Sequence, residues 1–249
     1  MSEQKLRSLL VVMQDYPAEF EAEMNLWFDH DHVPERLSIE GIEDAERFQL
    51  LDLEPIGWRP SQRWSKYINI YTLTSTDVLV SKAYTLQYDR RGAGQWRQSL
   101  DARMAASSRD LGGTNLRTSW RQRPDSWSTS RPVEQLGPRT ALVILRNDGG
   151  EADAAANAVL DEQLIPELLH VPGVLGCERY EAEGEPAESG EQPKYLDLVH
   201  LTSPEVAVTG VFRRWVASLE LSPEVRAALT PVGYGVYGER PSPWRVAIR

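Results

Sequence analysis

The chain has 249 residues, 41% of them apolar, enough to bury an ordinary globular core as one large domain or two small ones. Its 27 basic and 37 acidic side chains give a formal net charge of -10, which argues against a main task of neutralising nucleic-acid phosphate or anionic lipid. Cys177 is the only cysteine, no run reaches the roughly 18 to 20 apolar residues of a membrane helix, and the first residues lack the apolar core of a secretory signal; a cytoplasmic protein with no disulfide framework, membrane or nucleic-acid partner is expected.

In chain order, L-R-S-L-L-V-V-M-Q (Leu6 to Gln14) is short, β-branched and apolar and predicts a strand. A helix should run from about Ala18 to Leu37, because Phe20, Met24, Trp27 and Phe28 recur at helical spacing, and Gly41 signals its end. A-E-R-F-Q-L-L-D-L and then K-Y-I-N-I-Y-T-L-T-S (Lys66 to Ser75) predict the second and third strands. In the third, Tyr67, Asn69, Tyr71 and Leu73 share one face and Ile68, Ile70 and Thr72 the other, with the apolar set expected under the helices. A helical region over about Thr76 to Ser108, broken near Gly92-Ala93-Gly94, and a closing strand near Asn115 to Gln122 complete this unit.

The same order returns after a Ser-, Pro- and Arg-rich stretch. At an offset of 132, Arg7 to Phe48 lies over Arg139 to Tyr180 without a gap, and 13 of the 42 positions are identical, where ordinary residue frequencies give roughly two or three. Among them are Arg7/Arg139, Asn25/Asn157, Asp29/Asp161, Pro34/Pro166, Gly41/Gly173, Glu46/Glu178 and Arg47/Arg179. K-Y-L-D-L-V-H-L-T-S (Lys194 to Ser203) matches the third strand after a loop four residues shorter. A helical region over about Pro204 to Leu229 and a strand over Gly233 to Arg240 follow, and the acidic run Glu181 to Gln192 is read as a solvated hairpin loop. The expectation is an α+β chain with a first unit over 1–122, a linker over 123–138 and a second unit over 139–249. Each unit has the ferredoxin-like β-α-β-β-α-β order, whose open sheet face needs a partner, so the two units should bury those faces together as a dimer within one polypeptide. Such a pseudo-dimeric chain can itself pair further as a homodimer.

N-L-W-F-D-H-D-H-V-P-E-R-L-S-I-E-G (Asn25 to Gly41), followed by E-R-F, resembles the W-Y-x-x-x-H-x-P and P-G-[apolar]-x-x-x-R-[aromatic] segments of EthD-like proteins of the dimeric α+β barrel superfamily. V-P-G-V-L-G-C-E-R-Y in the second unit keeps the latter half of that pattern. The resemblance implies an intramolecular dimeric α+β barrel. It says less about chemistry, because that superfamily includes polyketide cyclases, cofactor-free monooxygenases, lactone isomerases and heme-dependent enzymes.

Only the first unit carries histidines at these positions of the repeat. Under the offset, His30 falls on Glu162, Asp31 on Gln163 and His32 on Leu164, while the Asn, Asp, Pro and Gly frame stays. One functional pocket, in the first half, is therefore expected, and His32 stands at the histidine position of the family pattern. An imidazole, with an ordinary pKa near 6.5, suits proton transfer at neutral pH, and a carboxylate can orient it. Asp29, three residues earlier on a helix, is the preferred orienting partner if the helix continues to Pro34, and Asp31 if it ends sooner. His30, Trp27, Tyr67, Tyr71 and Asn25 are candidates for contact with a small apolar, aromatic or polyketide-like substrate, and Trp64, Trp96 and Trp120 for the pocket wall or the core. Capping of a helix end is the competing reading of both histidines. Arg47 and Arg179, matched in both units, are read as halves of structural ion pairs. His30 and His32 do not face together at a spacing of two, so no metal site is expected. No nucleotide-binding glycine pattern or serine-nucleophile motif occurs, and no cofactor is called for; His170 or His200 could ligate heme iron, yet nothing asks for it. The expected activity is cofactor-independent cyclisation, isomerisation or elimination by His32 acid/base catalysis, with a cofactor-free monooxygenase or a non-catalytic binding protein as alternatives.

Overall fold

A computed structural model describes residues 6–51, 53, 65–90, 116–123, 127–128, 139–183, 193–211, 222–241 and 243. The first unit is built from β1 (Ser8–Gln14), α1 (Glu21–Trp27), a π-helical turn (Phe28–His32), α2 (Val33–Leu37), β2 (Ile42–Leu50), β3 (Tyr67–Leu73), a 3-10 turn (Thr76–Val80), α3 (Lys82–Arg90) and β4 (Leu116–Gln122). A two-residue strand, β5 (Trp127–Ser128), follows. The second unit repeats the pattern as β6 (Thr140–Arg146), α4 (Asp153–Val159), a π-helical turn (Leu160–Leu164), α5 (Ile165–Leu169), β7 (Val174–Glu183), β8 (Tyr195–Leu201), a 3-10 turn (Pro204–Val208), α6 (Pro223–Leu229) and β9 (Gly233–Glu239). Trp64, Trp96, the Gly92-Ala93-Gly94 break and most of the acidic run lie outside the described residues, as does most of the expected linker. From that linker, β5 pairs with β7.

Within each unit the strands lie in the order β4-β1-β3-β2 and β9-β6-β8-β7, all antiparallel. The last strand of each unit crosses to the second strand of the other: β9 pairs with β2 over Phe48 to Leu50, and β4 with β7 over Ser119 to Gln122. Eight strands therefore close into a barrel, which leaves no free edges between the units. Reciprocal ion pairs mark the internal two-fold, Arg139 to Glu46 and Arg7 to Glu178. Reciprocal backbone bonds do the same, Arg240 N–H to Arg47 O and Arg123 N–H to Arg179 O, each 2.8 Å.

The barrel interior is one apolar cluster drawn from both units, with Val11, Ile68, Ile70 and Trp120 from the first and Val143 and Leu198 from the second. This corrects the face assignment of the third strand. Ile68 and Ile70 point into the barrel, and it is the Tyr67, Tyr71 and Leu73 face that packs under α1 and α2. Six of the seven β3 residues are buried, so this strand has no polar side for a period-two pattern to reveal.

The first helix is expected as one piece and is helical from Glu21 to Leu37, but with a wide turn in the middle. Val33 N–H reaches back five residues to Phe28 O, and Ile165 N–H to Leu160 O in the second unit. Pro34 and Pro166 follow immediately. A proline in a helix has no N–H and its ring presses on the carbonyl four residues back, and the extra residue of a π turn relieves that clash. After α2, Gly41 turns the chain at φ 92°, and Gly173 does so at φ 93° in the second unit.

A Cβ at Gly41 would lie 2.5 Å from Val78 Cγ2, and one at Gly173 would lie 2.5 Å from Val206 Cγ2. Steric collision adds to the cost of a positive φ, so Gly41→Ala and Gly173→Ala should each destabilise the chain by about 1–3 kcal/mol, read as lower midpoints in urea unfolding. Unchanged midpoints would contradict the packing described.

Candidate functional site

The space between the helices and the outer face of the sheet is organised around a buried arginine in each half. Arg47 is 1% exposed and donates from Nε to Asn69 Oδ1 (2.9 Å), from Nη2 to Asn25 Oδ1 (2.8 Å) and from Nη1 to the Asp29 carboxylate. Its plane also packs on the Phe28 ring, 4.7 Å from the centroid. Arg179 repeats this, with Nε to Asp197 Oδ1 (3.2 Å), Nη2 to Asn157 Oδ1 (2.7 Å) and Nη1 to Asp161. Each network joins α1 or α4, the π turn and two strands. A second repeated set ties Tyr67 to Glu21 and Asn25, and Tyr195 to Asp153 and Asn157, with Lys66 and Lys194 bound to the same acids.

Repetition sorts the candidate residues. Asn25, Asp29 and Tyr67 belong to the duplicated frame, since their counterparts Asn157, Asp161 and Tyr195 make the same contacts. Asp29, expected beside His32, is held by Arg47. His30 and Asp31 are exposed on the outside of the π turn. His32 is buried at 6% exposure. Its ring stacks on Trp27, five residues earlier, with centroids 4.6 Å apart and 28° between planes. Phe28 meets it edge-on at 4.9 Å, and Tyr71 lies across it at 6.4 Å. The i, i+5 contact exists because of the π turn; in a regular α-helix His32 would sit over Phe28 and Asp29 instead.

One turn further, Arg36 is also buried, at 3% exposure, with its guanidinium carbon 4.5 Å from the Tyr84 ring centroid. The expectations from sequence omit this residue. Its signal was present: at the offset of 132 it falls on Leu168, as His32 falls on Leu164. Trp27 Nε1 is buried with no hydrogen-bond partner among the described residues.

The second half has no such cluster. Its matching positions, Val159, Leu160, Leu164, Leu168 and Val199, form part of an aliphatic core. Charge there lies lower, against the sheet, where Arg146 and Arg179 hold Asp197 from both sides at 3.1 and 3.2 Å. The first half has Gln14 and Asn69 at these places, with Gln14 bonded to Tyr16. Tyr16 stacks on Tyr67 at 4.8 Å, and burial drives its phenol well above the ordinary range, so it stays neutral.

The remaining histidines do other work. His170 is exposed at the end of α5, with Nδ1 2.7 Å from Pro166 O, and His200 lies 3.0 Å from Glu178 through Nε2. Trp120 is in the barrel core. Burial pushes the Cys177 thiol well up, which leaves it inert. Among the described residues no group of three His, Cys, Asp or Glu could hold a metal ion, and no helix is long and apolar enough to cross a membrane.

Burial alone would raise the Asp197 carboxyl, but the two flanking guanidinium groups outweigh it and hold it below the ordinary carboxylate range. A carboxyl depressed in the folded state stabilises the chain above its unfolded pKa of about 3.9, and that stabilisation is lost as pH falls through the lower folded value. Asp197→Asn should therefore cost about 3–5 kcal/mol at pH 7 by leaving the buried Arg146 without its carboxylate and Arg179 with Asp161 alone. The deficit should shrink when urea unfolding is repeated at progressively lower pH, and a deficit independent of pH would show that Asp197 is not ionised in the fold.

No protein-family model matches the chain, and no curated protein matches it in sequence. Solved structures do match in shape. An anthrone oxidase-like protein superposes with a TM-score of 0.53 and 14% identity over 96% of this chain and 93% of its own. A chlorite dismutase variant from Candidatus Nitrospira defluvii does so with a TM-score of 0.52 and 11% identity, over 99% of this chain and 96% of its own. At such identity the likeness concerns architecture alone, and with the strand order and closure above it makes this chain a dimeric α+β barrel whose two halves are joined in one polypeptide.

Proposed function

We propose that the chain is a cofactor-independent enzyme of the EthD-like kind. Its substrate would be a small apolar, aromatic or polyketide-like molecule, and its chemistry cyclisation, isomerisation or elimination through His32. The observation that carries this reading is the buried His32 among Trp27, Phe28 and Tyr71, at a place where the second half has leucine in an aliphatic core. A buried imidazole costs more than the leucine that the same frame accepts, so the first half retains it for something other than folding. In the proposed reaction His32 takes a proton from an activated C–H and returns one to the product, in one of the roles for which a positioned histidine contributes about 10²–10⁴-fold. Trp27 and Tyr71 present flat apolar faces, which suits a planar substrate. Asp29 supports the site at one remove, by fixing the π turn that carries His32.

A second reading is a cofactor-free monooxygenase, in which the same proton removal leaves a carbanion that dioxygen itself oxidises. The shared architecture with an anthrone oxidase-like protein favours it over other oxidations. A third, from another class, is a small-molecule-binding protein without chemistry.

Anthrone, which has an activated CH2 between two rings, separates the three. The first reading expects exchange of that CH2 with D2O, followed by NMR, without oxygen uptake; the second expects oxygen uptake. His32→Leu, which copies the second half, should lower either rate by about 10²–10⁴-fold and leave anthrone binding within a few-fold. Binding without exchange or uptake in the unaltered protein would establish the third reading, and undiminished rates in His32→Leu would remove this histidine from the mechanism.

A further inference from the structure

Trp27 extends this reading to the group that activates the substrate. Its side chain is 7% exposed, and Nε1, a donor with no acceptor capacity, is buried without a hydrogen-bond partner among the described residues. A buried donor left unpaired is destabilising, and folded chains rarely keep one without a use for it. The frame does not require it: at the matching place the second half has Val159, which carries no polar side-chain atom and packs against the aliphatic cluster. The indole of Trp120 is unpaired too, but it lies in the apolar barrel cluster, whereas Trp27 lies against His32. With the two rings stacked at 4.6 Å between centroids, a planar molecule that reaches the imidazole is within one ring's breadth of the indole as well. An N–H donor beside a base is the arrangement that proton removal next to a carbonyl needs. The base takes the proton, and the donor meets the charge that develops on oxygen.

We propose that the molecule on which His32 acts is an aromatic ketone and that its carbonyl oxygen accepts a hydrogen bond from Trp27 Nε1. The inference rests on the functional reading above for the role of His32, and adds the substrate's functional group and a second residue in contact with it. In the step itself, the C–H bond conjugated with the carbonyl breaks and its proton passes to the imidazole. The electron pair of that bond enters the conjugated system, the carbonyl π pair settles on oxygen, and the indole N–H holds the enolate so formed. Return of the proton from the imidazolium to the same carbon restores the ketone, and return to a different carbon gives an isomer. A neutral donor suits this task, because indole keeps its own proton and binds the oxygen more tightly once that oxygen is charged.

Anthrone and the smaller, more soluble ketone 2-tetralone are the probes, followed by the infrared carbonyl stretch of the bound ketone and by exchange of its acidic C–H in D2O. The carbonyl stretch in the unaltered protein should lie below its frequency in cyclohexane, as a hydrogen bond to the oxygen requires. Incorporating 3-benzothienylalanine in place of Trp27 exchanges the N–H for sulfur at nearly constant shape, and Trp27→Phe removes the donor with a natural residue. Each should return the stretch towards its cyclohexane value and slow exchange by about 10²–10³-fold, with ketone binding kept within a few-fold. A tryptophan that only supports the fold would not move the carbonyl frequency. A frequency in the unaltered protein equal to that in cyclohexane, or one unchanged by loss of the N–H, overturns the proposal, and exchange that proceeds all the same leaves the functional reading standing. A lowered frequency that responds to the substitution, without exchange or oxygen uptake, upholds Trp27 as the carbonyl's donor and overturns the functional reading instead. Failure of both ketones to bind overturns both.

Discussion

Arg47, with its copy Arg179, is the fixed point on which the rest of the structure hangs. A guanidinium is planar and always charged, so its fork can fix partners on several elements at once. Arg47 uses it on Asn25 of α1, Asp29 of the π turn and Asn69 of β3, while its own carbonyl accepts the Arg240 N–H from the other half. One residue thus sets the height of the helix over the sheet, anchors the wide turn and marks where the barrel closes. Ion pairs of this burial add little net stability over an apolar replacement of the same shape, but removing one partner is expensive. Their value here is placement, because an apolar helix face could slide on an apolar sheet and a bidentate fork could not.

With the frame fixed twice by the same atoms, the side chains between helix and sheet are free to diverge, and they have. The second half fills that layer with aliphatic residues and keeps its charge against the sheet, in the Arg146–Asp197–Arg179 cluster. The first half reverses the arrangement. Neutral Gln14, Tyr16 and Asn69 lie against the sheet, and the ionisable His32 and Arg36 lie under the helix among aromatic rings. Two sequences on one backbone thus separate what the fold demands from what it merely permits. Groups that are costly to bury and occur in only one copy are the ones the fold does not need.

The doubling and the strand order are legible in the sequence because identity survives at the positions that hold the frame, among them Arg47, Asp29, Asn25 and Gly41. Asn25, Asp29 and Tyr67 are answered by Asn157, Asp161 and Tyr195, so the repeated frame by itself accounts for their contacts. As His32 stands over Leu164, so Arg36 stands over Leu168, where P-E-R-L faces P-E-L-L. The π turn could not be read. Hydrophobic spacing over a short helix barely distinguishes a turn of 3.6 residues from one wider turn within it, and only backbone coordinates place Trp27, rather than Asp29, on the His32 ring. The faces of β3 were hidden for a different reason: one side packs into the barrel and the other under the helices, so burial leaves no alternation.

The wide turn is itself part of the frame and not of the chemistry. π turns often mark functional sites, and one that carries the only buried histidine among the described residues invites that interpretation. Yet the second half has the same turn over Leu160–Leu164, followed by the same proline, and there it carries leucine into an aliphatic core. Proline and the arginine tie are sufficient causes of the backbone shape, because both are present in both copies. What the shape provides is a direction: it turns residue 32, like residue 164, inward beneath the helix, where a side chain is dry and held by its neighbours. A leucine at that place is core, and an imidazole there is an ionisable group among aromatic rings, so the two halves differ by a side-chain choice made on the same backbone.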